Sequence, residues 1–265
     1  MEFPAKKIRF ASDFHLGMYP PEKSREREKR IVEWLEEIRE DTSQLWLVGD
    51  IFDYWFEYRK VVPRGFIRFL GKLAELSDSG VEIHIFTGNH DAWYFDYFPA
   101  ETGAVIHRKP VTVKLGNKTF FIGHGDGLTS HDKGYLIIKH IFNSRFLQWC
   151  YARIHPNGSA AFAHWWSRKS RYSKGFCTPW QGVDKEEQIV FAEKLSEKDP
   201  VIDYFVFGHR HIPYICTLST GKQVFGLGDW IANYTYGEFD GEELSLKKRF
   251  EDKGEVMTCN KTQNK

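Results

Sequence analysis

The segment KIRFASDFH, residues 7–15, joins a short apolar run to two polar residues, Asp13 and His15. An apolar run of this length is typical of a buried strand. Side chains two residues apart in an extended chain point to the same side, so this pair can reach one ion or ligand just beyond the strand.

Four later segments repeat this arrangement of a short apolar run that ends in Gly, Asp, Asn or His. They are LWLVGDIFD (45–53), IHIFTGNHD (83–91), TFFIGHGD (119–126) and FVFGHRH (205–211). Stretches with helical spacing, 24–40 and 62–76, separate the first three strands, and this alternation predicts parallel strands joined by helices. Because ligands bind beyond the carboxyl ends of such strands, we expect the polar residues to meet at one sheet edge.

The second half of the chain is predicted to be rich in strands. A Gly116-Asn117 turn between 111–115 and 118–122 predicts a β-hairpin. A helix is predicted over 185–195 and strands over 204–207, 214–218, 223–227, 231–236 and 243–247. The last dozen residues are polar, and we expect them to be frayed.

Seven of the polar residues at the strand ends are candidate metal ligands: Asp13, His15, Asp50, Asn89, His124, His209 and His211. Any one of these histidines taken alone is more often structural, but their coincidence at five strand ends is not expected by chance. The set contains nitrogen and oxygen donors without a thiolate and is too large for one tetrahedral zinc ion. It therefore favours two octahedral first-row ions, which a carboxylate such as that of Asp50 can bridge. Two ions about 3.5 to 4 Å apart can hold a hydroxide nucleophile and neutralise phosphoryl oxygens.

The motifs D-x-H, G-D-x-x-D, G-N-H-D, G-H and G-H-x-H, in this order from Asp13 to His211, resemble those of the calcineurin-like metallophosphoesterase superfamily. The resemblance implies an α/β fold in which two mixed β-sheets are sandwiched between helices. It implies one metal held by Asp13, His15, Asp50 and His211, and another held by Asp50, Asn89, His124 and His209. It also implies that His90 is catalytic rather than a ligand, and either stabilises the phosphate or protonates the leaving oxygen.

The chain of 265 residues has a formal net charge of +1, which argues against a nucleic-acid binder, but its charge is unevenly distributed. Residues 133–174 contain eight Lys or Arg and no Asp or Glu, leaving 29 basic and 36 acidic residues elsewhere. Residues 142–180 are rich in Phe and Trp: Phe142, Phe146, Trp149, Phe162, Trp165, Trp166 and Trp180. We predict an inserted helical lid over 133–180 that faces an anionic, partly apolar substrate and a membrane surface. Packing of these rings onto the core is the alternative. With this lid, the predicted metallophosphoesterase core comprises residues 1–132 and 181–250, and the predicted C-terminal tail comprises residues 251–265.

Further motifs resemble the UDP-2,3-diacylglucosamine hydrolase family: GDIFDYW (49–55), HGD (124–126), GY (134–135) and LGDW (227–230). This resemblance implies hydrolysis of the pyrophosphate of UDP-2,3-diacylglucosamine to UMP and 2,3-diacylglucosamine 1-phosphate in lipid A biosynthesis. It implies Mn²⁺ as the ion, with Fe²⁺ or Zn²⁺ as alternatives. The implied substrate contacts are Asn89, His90, Asp132, Arg171, Lys174 and His209; for Arg171 and Lys174, solvated lid charges are the alternative.

One departure leaves the substrate open. The well-known form of that family has Gly-Asn-Arg-Asp where this chain has Gly88-Asn89-His90-Asp91, and histidine cannot reproduce the bidentate contact of arginine with phosphate. The alternatives are a phosphatase or phosphodiesterase of the same superfamily that acts on soluble nucleotides or phosphoproteins, and a membrane-associated scaffold with a vestigial metal site.

Four dispersed cysteines without a C-x-x-C pair favour a reducing compartment. The N-terminus does not read as a signal peptide, and no run of about 18 apolar residues could span a membrane. We therefore expect a cytoplasmic protein that is peripheral on the inner membrane. The remaining histidines are predicted to be structural or on the surface: His84, His107, His131, His140, His155 and His164.

Overall fold

A computed structural model of the chain describes residues 6–128, 141–142, 144–174, 179–250 and 255–261, and its strands form two six-stranded sheets. The first sheet contains β1 (Lys7–Ala11), β2 (Thr42–Leu47), β3 (Glu82–Phe86), β4 (Val105–His107), β10 (Thr235–Phe239) and β11 (Leu244–Lys248). The second contains β5 (Val111–Leu115), β6 (Lys118–Gly123), β7 (Tyr204–Phe207), β8 (Pro213–Thr217), β9 (Gln223–Leu227) and β12 (Met257–Asn260). The orders are β11-β10-β1-β2-β3-β4 and β12-β8-β9-β7-β6-β5.

The helices are α1 (Pro21–Glu37), α2 (Ile67–Asp78), α3 (Tyr97–Thr102), α4 (Arg145–Tyr151), α5 (Pro156–Lys174) and α6 (Glu187–Lys198). Helix α1 begins with Pro21, whose missing N–H costs nothing at that position. Its buried Ile31, Trp34 and Leu35 follow helical spacing and turn one apolar stripe toward the first sheet.

Three apolar clusters hold the layers together. Phe10 and Trp46 of the first sheet pack between the sheets against residues of the second, such as Phe120. The outer face of the first sheet is covered by α1 and α2, and that of the second by α6, where Ile189 is fully buried. The predicted sandwich of two mixed sheets between helices is confirmed.

Both sheets mix parallel and antiparallel pairs. β1, β2 and β3 run parallel, as do β6 and β7, whereas β10 is antiparallel to β1. The candidate ligands therefore follow the carboxyl ends of strands in two facing sheets. This corrects the expectation that they meet at the edge of a single sheet.

Two other predictions were wrong. The strand predicted over 231–236 begins only at Thr235, because the N–H groups of Ile231, Ala232 and Asn233 turn back to the Asp229 carboxylate. The last dozen residues are not all frayed, since β12 pairs in parallel with β8. Helix α3 and strand β4 were not predicted; both are short and lack a clear period.

Candidate metal centre

The seven predicted ligands come together where the carboxyl ends of the two sheets meet. A hydrogen bond from the His209 N–H to Asp13 Oδ2, 2.9 Å long, joins the second sheet to the first. The Asp13 N–H donates to the Gly49 carbonyl at 3.1 Å, which brings the first two loops together. Strand ends more than 190 residues apart in sequence therefore share one site.

Five of the seven have left-handed backbone angles: Asp13 (φ 56°), His15 (φ 44°), Asp50 (φ 52°), His209 (φ 69°) and His211 (φ 55°). Non-glycine residues rarely adopt this region, and such strain concentrates at functional sites. The adjoining glycines permit close approach. A Cβ on Gly49 would collide with the His124 ring, and one on Gly88 would collide with the Asp50 carboxylate.

The candidate ligand atoms form two overlapping clusters. His15 Nε2 and His211 Nε2 lie 3.7 Å and 3.6 Å from Asp13 Oδ1. Asp50 Oδ2 lies 3.4 Å from His124 Nε2 and 3.6 Å from His15 Nε2, so this carboxylate stands between the clusters. In the second cluster Asn89 Oδ1 is 2.9 Å from His209 Nδ1 and 3.2 Å from His124 Nε2.

This donor set fits divalent metal ions. The carboxylate–imidazole separations exceed normal hydrogen bonds, yet they suit atoms that surround one ion at about 2.0 to 2.2 Å. Among the described residues, Asp13 Oδ1 and both ring nitrogens of His15 are buried without a hydrogen-bond partner. Buried polar atoms are normally satisfied, and a bound cation would satisfy these.

The charges in the site are strongly coupled. Burial alone would raise the pKa of Asp50, but the neighbouring His124 and His90 hold that pKa well below its ordinary value. Burial lowers the pKa of His124, but the adjacent Asp50 carboxylate reverses this effect and raises the pKa to about 10. Burial lowers the pKa of His90 to about 4.

His90 lies beside these clusters. Its backbone N–H donates to Asp50 Oδ1 at 2.9 Å, and its ring contacts that of His15 edge-on, with the two centroids 4.8 Å apart. Its side chain is 23% exposed, whereas those of Asp50 and His124 are 2% exposed. Of these three side chains, that of His90 is the most accessible from outside the site.

Two aspartates of the same motifs support the site. Asp91 is fully buried and accepts hydrogen bonds from the N–H groups of Gly88 (2.9 Å), Asp50 (3.2 Å) and Ile51 (2.7 Å). Asp53 Oδ1 lies 3.7 Å from His15 Nδ1 and 3.6 Å from His90 Nδ1. Asp53, His15 and His90 form a third group whose donor atoms lie close enough to share an ion.

Sequence reasoning missed two supporting residues. Asp229 Oδ2 lies 3.2 Å from His211 Nδ1, and Asp229 lies in the LGDW segment (227–230), which is the signal that could have found it. Buried Arg27 donates from Nη1 to the carbonyl oxygens of Phe14 (3.0 Å) and His15 (2.8 Å). No sequence signal marks Arg27, because it lies within a helix dense in charge.

The structure does not describe the side chains of three predicted substrate contacts. Asp132 lies outside the residues that the structure describes, and so do the side chains of Arg171 and Lys174. From the predicted lid, Ser167 reaches the site and donates from Oγ to both Asp53 oxygens at 3.3 Å.

The predicted lid aromatics divide into two groups. Phe142 packs on Trp93 and Trp180 on Tyr214, at centroid distances of 5.1 Å and 5.3 Å. The others are exposed: Phe146, Trp149, Phe162, Trp165 and Trp166. In the described part of the chain, no helix combines the length and apolarity needed to cross a membrane.

Two mixed sheets with a cluster of candidate metal ligands at the strand ends are typical of a metal-dependent hydrolase. The family described as Calcineurin-like phosphoesterase matches residues 6–213, and the chain belongs to this family.

The relatives narrow the class. A protein of Porphyromonas gingivalis named UDP-2,3-diacylglucosamine hydrolase is 41% identical over 91% of this chain and 97% of its own length. A protein of the same name from Haemophilus influenzae is 26% identical, over 85% of this chain and 91% of its own. Among solved structures, the phosphoesterase Yfce from E. coli aligns with a TM-score of 0.43 at 16% identity, covering 91% and 92% of the two chains.

Proposed function

We propose that this chain hydrolyses the pyrophosphate bond of UDP-2,3-diacylglucosamine, releasing UMP and 2,3-diacylglucosamine 1-phosphate. The observation that carries the proposal is the 41% identity, over nearly the full length of both chains, with a protein of that name. The clustered ligand set supports the same activity, because it argues against a vestigial site.

Two divalent ions, with Mn²⁺ as the proposed metal, complete the site. Asp13, His15, Asp50 and His211 would hold one, and Asp50, Asn89, His124 and His209 the other. When bound, such ions activate water as a nucleophile and neutralise the oxygens of the phosphoryl group under attack. Nitrogen and oxygen ligands without thiolate suit manganese, and Fe²⁺ or Zn²⁺ are the competing choices.

The protein's own groups orient the substrate. The accessible His90 ring is placed to donate a hydrogen bond to a phosphate oxygen. The backbone N–H of His90 meanwhile donates to Asp50 Oδ1. The Asp53 carboxylate lies beside both rings, 3.7 Å from His15 Nδ1 and 3.6 Å from His90 Nδ1. We include Asn89, His209, Asp132, Arg171 and Lys174 among the proposed substrate contacts.

We further propose that residues 133–180 form a lid that rests on the cytoplasmic face of the inner membrane. Phe146 and Trp149 are 69% and 55% exposed, and Phe162 and Trp166 are exposed as well. Arg153 lies 4.7 Å from the Trp149 ring centroid. Indoles flanked by cations are typical of membrane interfaces, where the ring meets the acyl boundary and the charge meets anionic headgroups.

The activity is tested with purified protein loaded with Mn²⁺. It should release UMP from UDP-2,3-diacylglucosamine, with the lipid product identified by mass spectrometry. Turnover of only soluble phosphomonoesters would contradict the proposed substrate but not the metal site.

Membrane binding is tested separately, in a vesicle sedimentation assay. Trp149→Ala should weaken binding to anionic vesicles, while Trp180→Phe, a change at a residue packed on the core, should not. Equal binding by both variants would contradict the membrane proposal.

A further inference from the structure

A cleft of about 440 Å³ opens beside the metal centre, between the predicted lid and the core. Its walls come from the start of α1, the loop 54–66 and the first half of α5. His164 belongs to the wall, and its Nδ1 lies 3.9 Å from Asp53 Oδ2. Tyr54, the residue after Asp53, also lines the cleft, so the cleft adjoins the site.

We infer that this cleft binds the nucleoside monophosphate half of the substrate, an inference that rests on the proposed function. Its volume falls within the range of small-ligand sites, roughly 300 to 1,000 Å³. One half of the proposed substrate is an anionic nucleotide and the other carries two acyl chains, so the two halves need surfaces of different chemistry.

Two cations at the cleft are available for a phosphate or a pyrimidine carbonyl. Arg25 and Arg64 both line it and both are exposed. Within the described parts of the chain, neither guanidinium has an ion pair, hydrogen bond or ring contact. A guanidinium presents paired donors that match phosphate oxygens, so these two can hold an anion without breaking a contact to any of the described residues.

Two tyrosines line the cleft; Tyr54 is buried, whereas the half-buried Tyr58 offers ring surface to a nucleobase. Tyr54 and Tyr58 line it, and their hydroxyls are engaged with the lid: Tyr54 Oη lies 3.2 Å from Tyr151 Oη, and Tyr58 Oη contacts Ser159 Oγ. The rings are therefore held in place before a ligand arrives. Proteins commonly recognise unpaired bases by stacking them on aromatic side chains.

Helix α5 separates the two chemistries by its periodicity. Asn157, Ala160 and His164 recur at helical spacing and line the cleft with small or polar groups. Phe162 and Trp166 lie on the opposite side of the helix and are 55% and 52% exposed. The apolar half of the substrate thus has an aromatic face available away from the cleft.

The experiment measures UMP binding to the Mn²⁺-loaded protein by calorimetry. The double variant Arg25→Ala/Arg64→Ala should raise the Kd for UMP by about 10-fold or more, because charge-assisted hydrogen bonds are lost. Arg59→Ala is the matched control, since Arg59 is exposed in the same loop but does not line the cleft. The Kd for inorganic phosphate should stay within about twofold in all variants, which excludes loss of metal.

A second pair of variants tests the space itself. Ala160→Phe fills the cleft, whereas Ala161→Phe places the same ring at an exposed position that does not line it. Ala160→Phe should raise the inhibition constant of UMP and leave that of the diacylated sugar 1-phosphate unchanged. A weakened lipid product with unchanged UMP would overturn the inference, because it would place an acyl chain in the cleft.

Failure of the inference and failure of the proposed function give different results. If wild-type protein cleaves the UDP-linked lipid but all variants bind UMP equally, only the nucleotide site is wrong. If wild-type protein cleaves bis(4-nitrophenyl) phosphate but not the UDP-linked lipid, the proposed function is wrong, and the inference that rests on it is overturned as well.

Discussion

Replacing Asp229 by Asn should weaken metal binding although Asp229 is not a predicted ligand. Asp229 Oδ2 faces His211 Nδ1 at 3.2 Å, while Oδ1 accepts from the N–H groups of Ala232 and Asn233, both at 2.9 Å. In wild-type protein the carboxylate holds the proton on His211 Nδ1 and leaves Nε2 free for an ion.

The asparagine variant should reverse this arrangement. Its carbonyl oxygen must face the cluster of N–H donors, so its NH₂ group faces His211 Nδ1. An NH₂ group donates, which favours the tautomer with the proton on Nε2, the atom 3.6 Å from Asp13 Oδ1. Loss of such a supporting contact typically lowers metal affinity by about 10- to 100-fold, or about 1.4 to 2.7 kcal/mol.

Mn²⁺ titration of metal-free protein, followed by calorimetry, measures this effect. Asp240→Asn is a matched control, because Asp240 Oδ1 also accepts two turn N–H groups, from Glu242 and Glu243 at 2.9 Å. Asp240 lies in the turn between β10 and β11 and not among the candidate metal ligands. Both variants should keep the fold, checked by thermal unfolding of the metal-free proteins. If Asp229→Asn binds Mn²⁺ within twofold of Asp240→Asn, the reasoning about the His211 tautomer is refuted.

Three further changes test other parts of the structure. Asp50→Ala should abolish turnover through loss of metal, measured by elemental analysis after dialysis. His90→Ala should retain metal but lower kcat by about 10² to 10⁴; metal loss equal to that of Asp50→Ala would contradict its role. Burial, and then neighbouring His84, lowers the pKa of His107 to about 4. Between about pH 4 and pH 6.5, His107 therefore binds more protons in the unfolded chain than in the folded one. The free energy of unfolding should fall as the pH drops through this window. His107→Phe should reduce the fall between pH 7.5 and 5.0 in urea unfolding; an unchanged fall would argue against this pKa.

The pattern of apolar runs predicted much of the fold. The apolar runs that precede Asp13, Asp50, Asn89 and His124 each form a strand, β1, β2, β3 and β6. Strand length, apolar content and helical spacing are properties of neighbouring residues, so they can be read along the chain. The candidate ligands were found for the same reason, since each follows its strand directly.

Contacts between distant segments could not be read in this way. The 231–236 segment alternates like a strand, yet its first three N–H groups bind Asp229, so tertiary contacts override the local preference. β12 looks like a polar tail until β8 provides its hydrogen-bonding partner. The aromatic residues of the predicted lid look alike in the sequence. Only the folded chain shows that Trp180 packs on the core while Trp149 is exposed.

The sequence by itself determined which residues are candidate metal ligands, because ligand type and strand position are local features. The tertiary structure alone decided that two sheets contribute them, that Asp229 and Arg27 support them, and that an arginine- and tyrosine-lined cleft opens beside Asp53. The physical reason is that these arrangements depend on long-range packing. A hydrogen bond such as that from His209 to Asp13 joins residues 196 positions apart, and nothing in the residues adjacent to either one specifies it.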